Sequence, residues 1–229
     1  HYFMVNHLSS FVELGWIKNS ELRATVNLVE DACWSMLNPE KNVIPIGDSK
    51  NNLPAIERWD RASPELIEGL KVFPSGGLVV ENTSIDDRTS QLVFSAQFHS
   101  RQHKHADHLN VLYHLDNQPL LIDAGTYTYQ YDLPERIYCE STRAHNTVEI
   151  DGLNYSRFRS DAFGSALSIA QKIGPCSISQ GHVHHTRLIS SYIPNNKITS
   201  SDAVNVDIQH TRTVIHYPNR FLAIIDQMD

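Results

Sequence analysis

The sequence predicts an α+β chain of more than one domain: helices, a connector, then an antiparallel β-sandwich. Three observations carry this. Apolar residues recur at helical spacing through residues 1–36. Proline and glycine gather between residues 40 and 70. After Gly77, nine short β-branched and aromatic runs follow one another with no helical period between them.

Taken in order, Phe3, Met4, Leu8, Phe11, Val12 and Leu14 mark a first helix, and Gly15 is its stop. A second starts near Ser20, read as its N-cap, with Glu21 in the first turn. Leu22, Val26, Val29, Cys33 and Met36 then share one face, and Asn38-Pro39 ends the helix. An isolated pair cannot bury its apolar stripe, so residues 1–40 are expected to belong to a larger helical array. Residues 41–76 read as the connector, with a short helix starting at Ser63-Pro64-Glu65-Leu66 and a turn at Phe73–Gly77. The sandwich is expected over 77–229, from runs at 78–80, 92–98, 109–114, 119–122, 147–150, 167–173, 181–188, 211–216 and 221–226. Asp116-Asn117, Asp151-Gly152 and Pro218-Asn219 are turn signals between them. The chain opens on His1-Tyr2 and stops at Met228-Asp229 without start or end signals, and is expected to be a piece of a longer polypeptide.

Composition narrows the function classes. The hydrophobic fraction of 41% and charged fraction of 20% are those of a globular protein. No apolar run is long enough to span a membrane. A net charge of −7 without a basic stripe argues against nucleic acid. Any anionic substrate must therefore be met by local Arg, Lys and His. Cys33, Cys139 and Cys176 lack C-x-x-C pairing and read as free thiols. The sequence leaves a homodimer open.

The chemistry gathers at Gln102–His108. Five of the thirteen histidines (His99, His103, His105, His108 and His114) fall within this neighbourhood. If residues 101–107 are extended, Arg101, His103, His105 and Asp107 share one face. Imidazoles about 7 Å apart along a strand can share a metal, or one can hold a metal while the other faces a substrate. Downstream, Leu120–Thr126 is an apolar run ending in Asp123 and a glycine turn, and Ser141–Val148 presents Arg143, His145 and Asn146. Two histidines and an aspartate from three segments suit a zinc site. Alternatively, Asp123 caps a turn and His145 bonds the backbone.

These stretches, His-x-His-Ala-Asp, Leu-Ile-Asp-Ala-Gly-Thr-Tyr-Thr-Tyr and Ser-Thr-Arg-Ala-His-Asn-Thr-Val-x-Ile-Asp-Gly, resemble the heparinase II/III-like family of polysaccharide lyases. Ile46-Gly47-Asp48-Ser49 resembles the family's passage from helical to β-domain. The resemblance implies the end of an incomplete (α/α) toroid followed by an antiparallel β-sandwich, with the active site in the cleft between. By position, His103 matches the catalytic histidine of the sandwich, and His105, Asp123 and His145 match the ligands of a structural zinc. Tyr131 matches the catalytic tyrosine of the alginate-lyase-like branch, with Tyr129 and Tyr138 as alternatives. Arg143 is a candidate for a substrate carboxylate or for a salt bridge within the sandwich. His1, Tyr2, Asn6 and His7 are expected to pack helices rather than to supply the toroid's own catalytic groups.

The implied reaction is β-elimination on a uronic-acid-containing polysaccharide of alginate or glycosaminoglycan type. It needs a group to neutralise the uronate carboxylate, a base for the C5 proton and an acid for the leaving oxygen. Histidine suits proton transfer near neutral pH, and tyrosine serves as base or acid beside positive charge. The resemblance also implies a bacterial, secreted or periplasmic protein, and a chain that, holding half an active site, is inactive alone. The rival expectation is a non-catalytic carbohydrate-binding or structural sandwich that keeps the zinc site.

Overall fold

The structure is a computed structural model, and it describes residues 2–50, 67–97, 103–156, 164–190 and 203–229. The short helix expected from Ser63, together with His99 and Arg101, lies outside the described residues.

Two helices come first, α1 (Tyr2–Glu13) and α2 (Ser20–Ser35), bridged by a hydrogen bond from Ser9 to Glu30. Gly15 follows α1 with a φ of 70°, the left-handed turn that ends a helix at little cost in glycine. The N-cap of α2 is Asn19 rather than Ser20: its side-chain oxygen accepts from the Leu22 N–H at 2.9 Å. Of the expected apolar face, Val26 and Cys33 are buried while Leu22 and Val29 are exposed. The far end of α2 is the more continuously covered, and there Trp34 joins Leu37 and Val43 in one cluster. His7 is exposed on α1.

The β-region is two antiparallel sheets. The first is a meander of β1 (Gly69–Phe73), β2 (Leu78–Ile85), β3 (Arg88–Ser95), β4 (Asn110–Leu115) and β5 (Gln118–Leu121). The second holds β6 (Asn154–Tyr155), β7 (Leu167–Ile173), β8 (Cys176–Ile189), β9 (Ala203–Tyr217) and β10 (Phe221–Met228). Its order is β10-β9-β8-β6, with β7 also paired to β8. Asp116-Asn117, with both φ values positive, is the tight turn between β4 and β5.

Period two decides which residues meet the other sheet. Val79, Leu92, Phe94 and Val111 pack with Val183 and Val214 of the second sheet. Their alternates Leu78, Val80, Val93 and Leu112 pack on Ile44, with Met36 and Ile46 against them. The first sheet is therefore buried on both faces, which is why Leu78-Val79-Val80 and Leu92-Val93-Phe94 are continuously apolar. The second sheet has one covered face, and β8 alternates buried with more exposed residues along most of its length.

Polar side chains also cross the interface. Glu81, fully buried, accepts from His216 Nδ1 at 2.8 Å and from the Ser177 hydroxyl. Burial alone would raise its pKa, but these bonds outweigh that and hold it below the usual carboxylate range.

The structure departs from the sequence expectation elsewhere as well. Residues 147–150 form no strand, because side chains take the backbone partners: Asn146 Nδ2 donates to the carbonyls of Val111 (2.9 Å) and Ile122 (2.7 Å), and Thr147 Oγ1 to that of His108 (2.6 Å). A third helix, α3 (Pro134–Glu140), sits in the tyrosine-rich loop, opened by proline in its first turn. Strand β1 lies within the stretch read as connector.

Gly181 shows how close the sheets approach. A Cβ there would overlap Leu109 Cδ2 and stand 3.1 Å from Phe94 Cζ. Gly181→Val is expected to cost about 1–3 kcal/mol by overpacking, read as a fall in Tm of roughly 2–10 °C. An unchanged Tm would contradict this packing.

Candidate functional site

The loops at one end of the first sheet converge: residues 103–109 entering β4, residues 122–126 leaving β5, and the 3₁₀ turn Thr142–Ala144 leading to His145. The connector's Gly47-Asp48 closes against them.

Residues 103–107, the described part of the stretch 101–107 whose extension would give the histidines a shared face, do not form a strand. His103 has a φ of 59° and Leu109 of 57°, and five successive residues, Lys104 to His108, are buried. Two-residue alternation is therefore lost, and the shared face of His103, His105 and Asp107 does not form. Lys104 pairs with Asp107 inside this loop, and burial pushes its pKa down to about 7.

The same backbone separates the two histidines of the motif. The His105 side chain is fully buried, whereas that of His103 is 61% exposed. Both reach one carboxylate: Asp48 Oδ2 lies 2.7 Å from His103 Nδ1, and Oδ1 lies 2.9 Å from His105 Nε2. Arg136, from the first turn of α3, adds its Nη1 at 2.6 Å from Asp48 Oδ1 and its Nη2 at 2.5 Å from Glu140. Burial would raise the pKa of Asp48, but hydrogen bonds from His105, Arg136 and His103 more than offset it and hold the carboxyl well below its ordinary range. Asp48 is ionised throughout the neutral range.

Behind this cluster lie His105, Asp123 and His145, each offering a donor atom within 4.8 Å of the others. Asp123 accepts from Asn110 Nδ2 (2.6 Å), the Gly125 N–H (2.8 Å) and His145 Nδ1 (2.8 Å). His105 Nδ1 and His145 Nε2 are buried and have no hydrogen-bond partner among the described residues. Burial leads the lowering of the His105 pKa, reinforced by His145, so the ring is neutral. Orphaned ring nitrogens beside a carboxylate are costly in a dry site and are the donor set a divalent metal takes. The residues present fit such an ion. Asp48, His105 and Glu140 form a second such group, but the Arg136 guanidinium already bridges its two carboxylates.

Tyr129 meets His103 edge-on at 6.2 Å between ring centroids. The Arg136 guanidinium stands 5.2 Å from the Tyr131 ring centre and 5.8 Å from that of Tyr129. Tyr138 is exposed. Arg143, also exposed, pairs with Glu149 at 2.9 Å, which is the salt-bridge alternative of the sequence reading. Sequence reasoning assigned no role to Asp48 or Arg136. Asp48 lay in a recognised motif, and Pro134-Glu135 was an available signal for the helix that carries Arg136.

This is an antiparallel β-sandwich bearing a buried imidazole–carboxylate cluster at a sheet end, and solved structures share its fold. Heparan sulfate lyase HepC from Pedobacter heparinus superposes with a TM-score of 0.67 at 14% identity, over 99% of this chain and 37% of that one. Heparinase III, the BT4657 gene product, gives 0.65 at 16% identity, over 92% and 33%. The chain thus spans about a third of the length of these two proteins. No curated protein sequence matches it. The profile of the heparinase II/III-like C-terminal region matches residues 67–229, and the chain belongs to that family, whose members are polysaccharide lyases. No helix among the described residues is long and apolar enough to cross a membrane.

Gly47 and Gly152 separate close approach from backbone strain. Both have positive φ (56° and 70°), but a Cβ on Gly47 would overlap the His103 carbonyl oxygen, whereas one on Gly152 meets nothing within 4 Å among the described residues. Gly152→Ala is expected to cost about 1–2 kcal/mol through strain. Gly47→Ala should cost roughly 1–3 kcal/mol more and shift the His103 and His105 imidazole resonances. Equal Tm losses would contradict the contact.

Proposed function

We propose that this chain is the C-terminal part of a polysaccharide lyase that cleaves a uronic-acid-containing polysaccharide, of alginate or glycosaminoglycan type, by β-elimination. The observation that carries this reading is the exposed His103 ring, anchored on buried Asp48 and walled by Tyr129, in a chain of this family. A uronate C5–H becomes removable once its carboxylate charge is met, and an exposed imidazole on a fixed mount is suited to that contact or to the proton transfer. Tyr131, held over the same Arg136 that holds Asp48, is the proposed partner in proton transfer. The remaining groups of the cleft belong to a helical toroid of which α1 and α2 are the last turns, so the chain alone is inactive. Its location is periplasmic or secreted.

His105, Asp123 and His145 are the proposed holders of a structural zinc. Zinc bound there would tie the 103–109 loop, the end of β5 and the turn before His145 into one rigid unit. Arg143, as a proposed substrate contact, would exchange its surface pair with Glu149 for a uronate carboxylate.

The test uses the longer polypeptide carrying this chain, assayed on alginate, heparan sulfate and hyaluronan through the ultraviolet absorbance of the unsaturated product. His103→Ala and Tyr131→Phe are each expected to lower kcat by about 10²–10⁴-fold while bound zinc stays unchanged, with Tm kept in Tyr131→Phe and lowered in His103→Ala, which takes a donor from buried Asp48. Full turnover in His103→Ala would overturn the catalytic reading, and unchanged carbohydrate binding with no turnover in the parent would make the sandwich a binding module.

A further inference from the structure

The two histidines contact Asp48 through different ring nitrogens, and this has a chemical consequence. An ionised carboxylate only accepts hydrogen bonds. Every nitrogen in contact with Asp48 must therefore carry a proton: His103 at Nδ1 (2.7 Å) and His105 at Nε2 (2.9 Å). A neutral imidazole has one N–H, so the lone pair falls on the opposite nitrogen in each ring. For His105 that nitrogen is Nδ1, which is buried and has no hydrogen-bond partner among the described residues, on a ring that groups with Asp123 and His145. For His103 it is Nε2, on a ring that is largely exposed.

We propose that Asp48 is a positioning residue that fixes both tautomers at once: through His105 it presents Nδ1 to the metal group, and through His103 it presents Nε2 to the substrate. The first half is the second-shell carboxylate–histidine arrangement that raises a ligand's basicity. The second is the orienting role that a buried carboxylate plays toward a catalytic imidazole. Here one carboxylate serves both, and Arg136 holds it in place by bonding Asp48 Oδ1, Glu140 and Thr126 Oγ1 (2.5 Å). The catalytic half rests on the lyase reading above, whereas the tautomers do not depend on it.

The oxygens of Asp48 are not equivalent, and this makes the test specific. Among the described residues, Oδ1 takes two donors, His105 and Arg136, while Oδ2 takes only His103. In Asp48→Asn the single remaining oxygen is expected at the Oδ1 position, where two donors meet it. The amide NH₂ then faces His103 and must donate, so His103 accepts at Nδ1 and its proton moves to Nε2. His105 keeps its tautomer.

Nitrogen-15 NMR of the histidine side chains at a pH above imidazole titration reads this directly. In the wild type His103 is expected as the Nδ1–H form, the minority tautomer of imidazole side chains in water, and His105 as Nε2–H. Asp48→Asn should invert His103 alone, and Asp48→Glu should restore its Nδ1–H form. Titration with zinc alone is expected to show about 10–100-fold weaker binding in Asp48→Asn, with circular dichroism confirming the fold. His103 found as Nε2–H in the wild type would overturn the proposal, as would an Asp48→Asn protein that keeps both tautomers. If the longer polypeptide has no lyase activity but these tautomers hold, the lyase reading fails and the role of Asp48 toward both rings stands.

Discussion

One buried carboxylate carries the site. Asp48, with its side chain 4% exposed, sits where the connector meets the 103–109 loop and receives hydrogen bonds from His103, His105 and Arg136. Burying a charge is expensive unless it is fully paired, and removing one partner from such a pair commonly costs about 3–5 kcal/mol. The arrangement is thus held together by what each member would lose. It joins the connector, the histidine loop and α3.

The sandwich supplies the rigid backing for this cluster. The first sheet is packed on both faces, so the end from which the site loops emerge has little freedom to shift. Glycine at 47 and at 181 permits two close approaches, of connector to histidine loop and of sheet to sheet. Polar crossings such as Glu81–His216, and Arg212 bonded to the carbonyls of Leu109 (2.8 Å) and Asn146 (2.5 Å), fix the sheets in register. The site is built from loops, tied to one another by the bonds of Asp48, Asp123 and Asn146.

Much of this was legible in the sequence, for identifiable reasons. Helical spacing marked α1 and α2, and β-branched runs with turn residues marked most strands, because those signals are local. Asp123 was legible as a site candidate because it ends the apolar run Leu120–Ile122, whose expected burial gives a polar terminus a cost, whereas His105 and His145 were grouped with it through the resemblance of their motifs to the family. What escaped was non-local or conformational. The contact of Asp48 with His105 spans 57 positions and obeys no period. The left-handed His103 broke the alternation on which the shared face of the two histidines depended. Asn146 and Thr147 replaced strand pairing with side-chain bonds, which β-propensity does not foresee.

On the proposed function, the two neighbouring histidines hold different jobs, His105 at a metal and His103 at the cleft. X-ray diffraction at the zinc absorption edge from crystals grown with zinc would test it most directly. The account predicts one anomalous peak bonded to His105, Asp123 and His145, with the His103 ring still on Asp48. A peak bonded to His103, or one seated between Asp48 and Glu140, would contradict it.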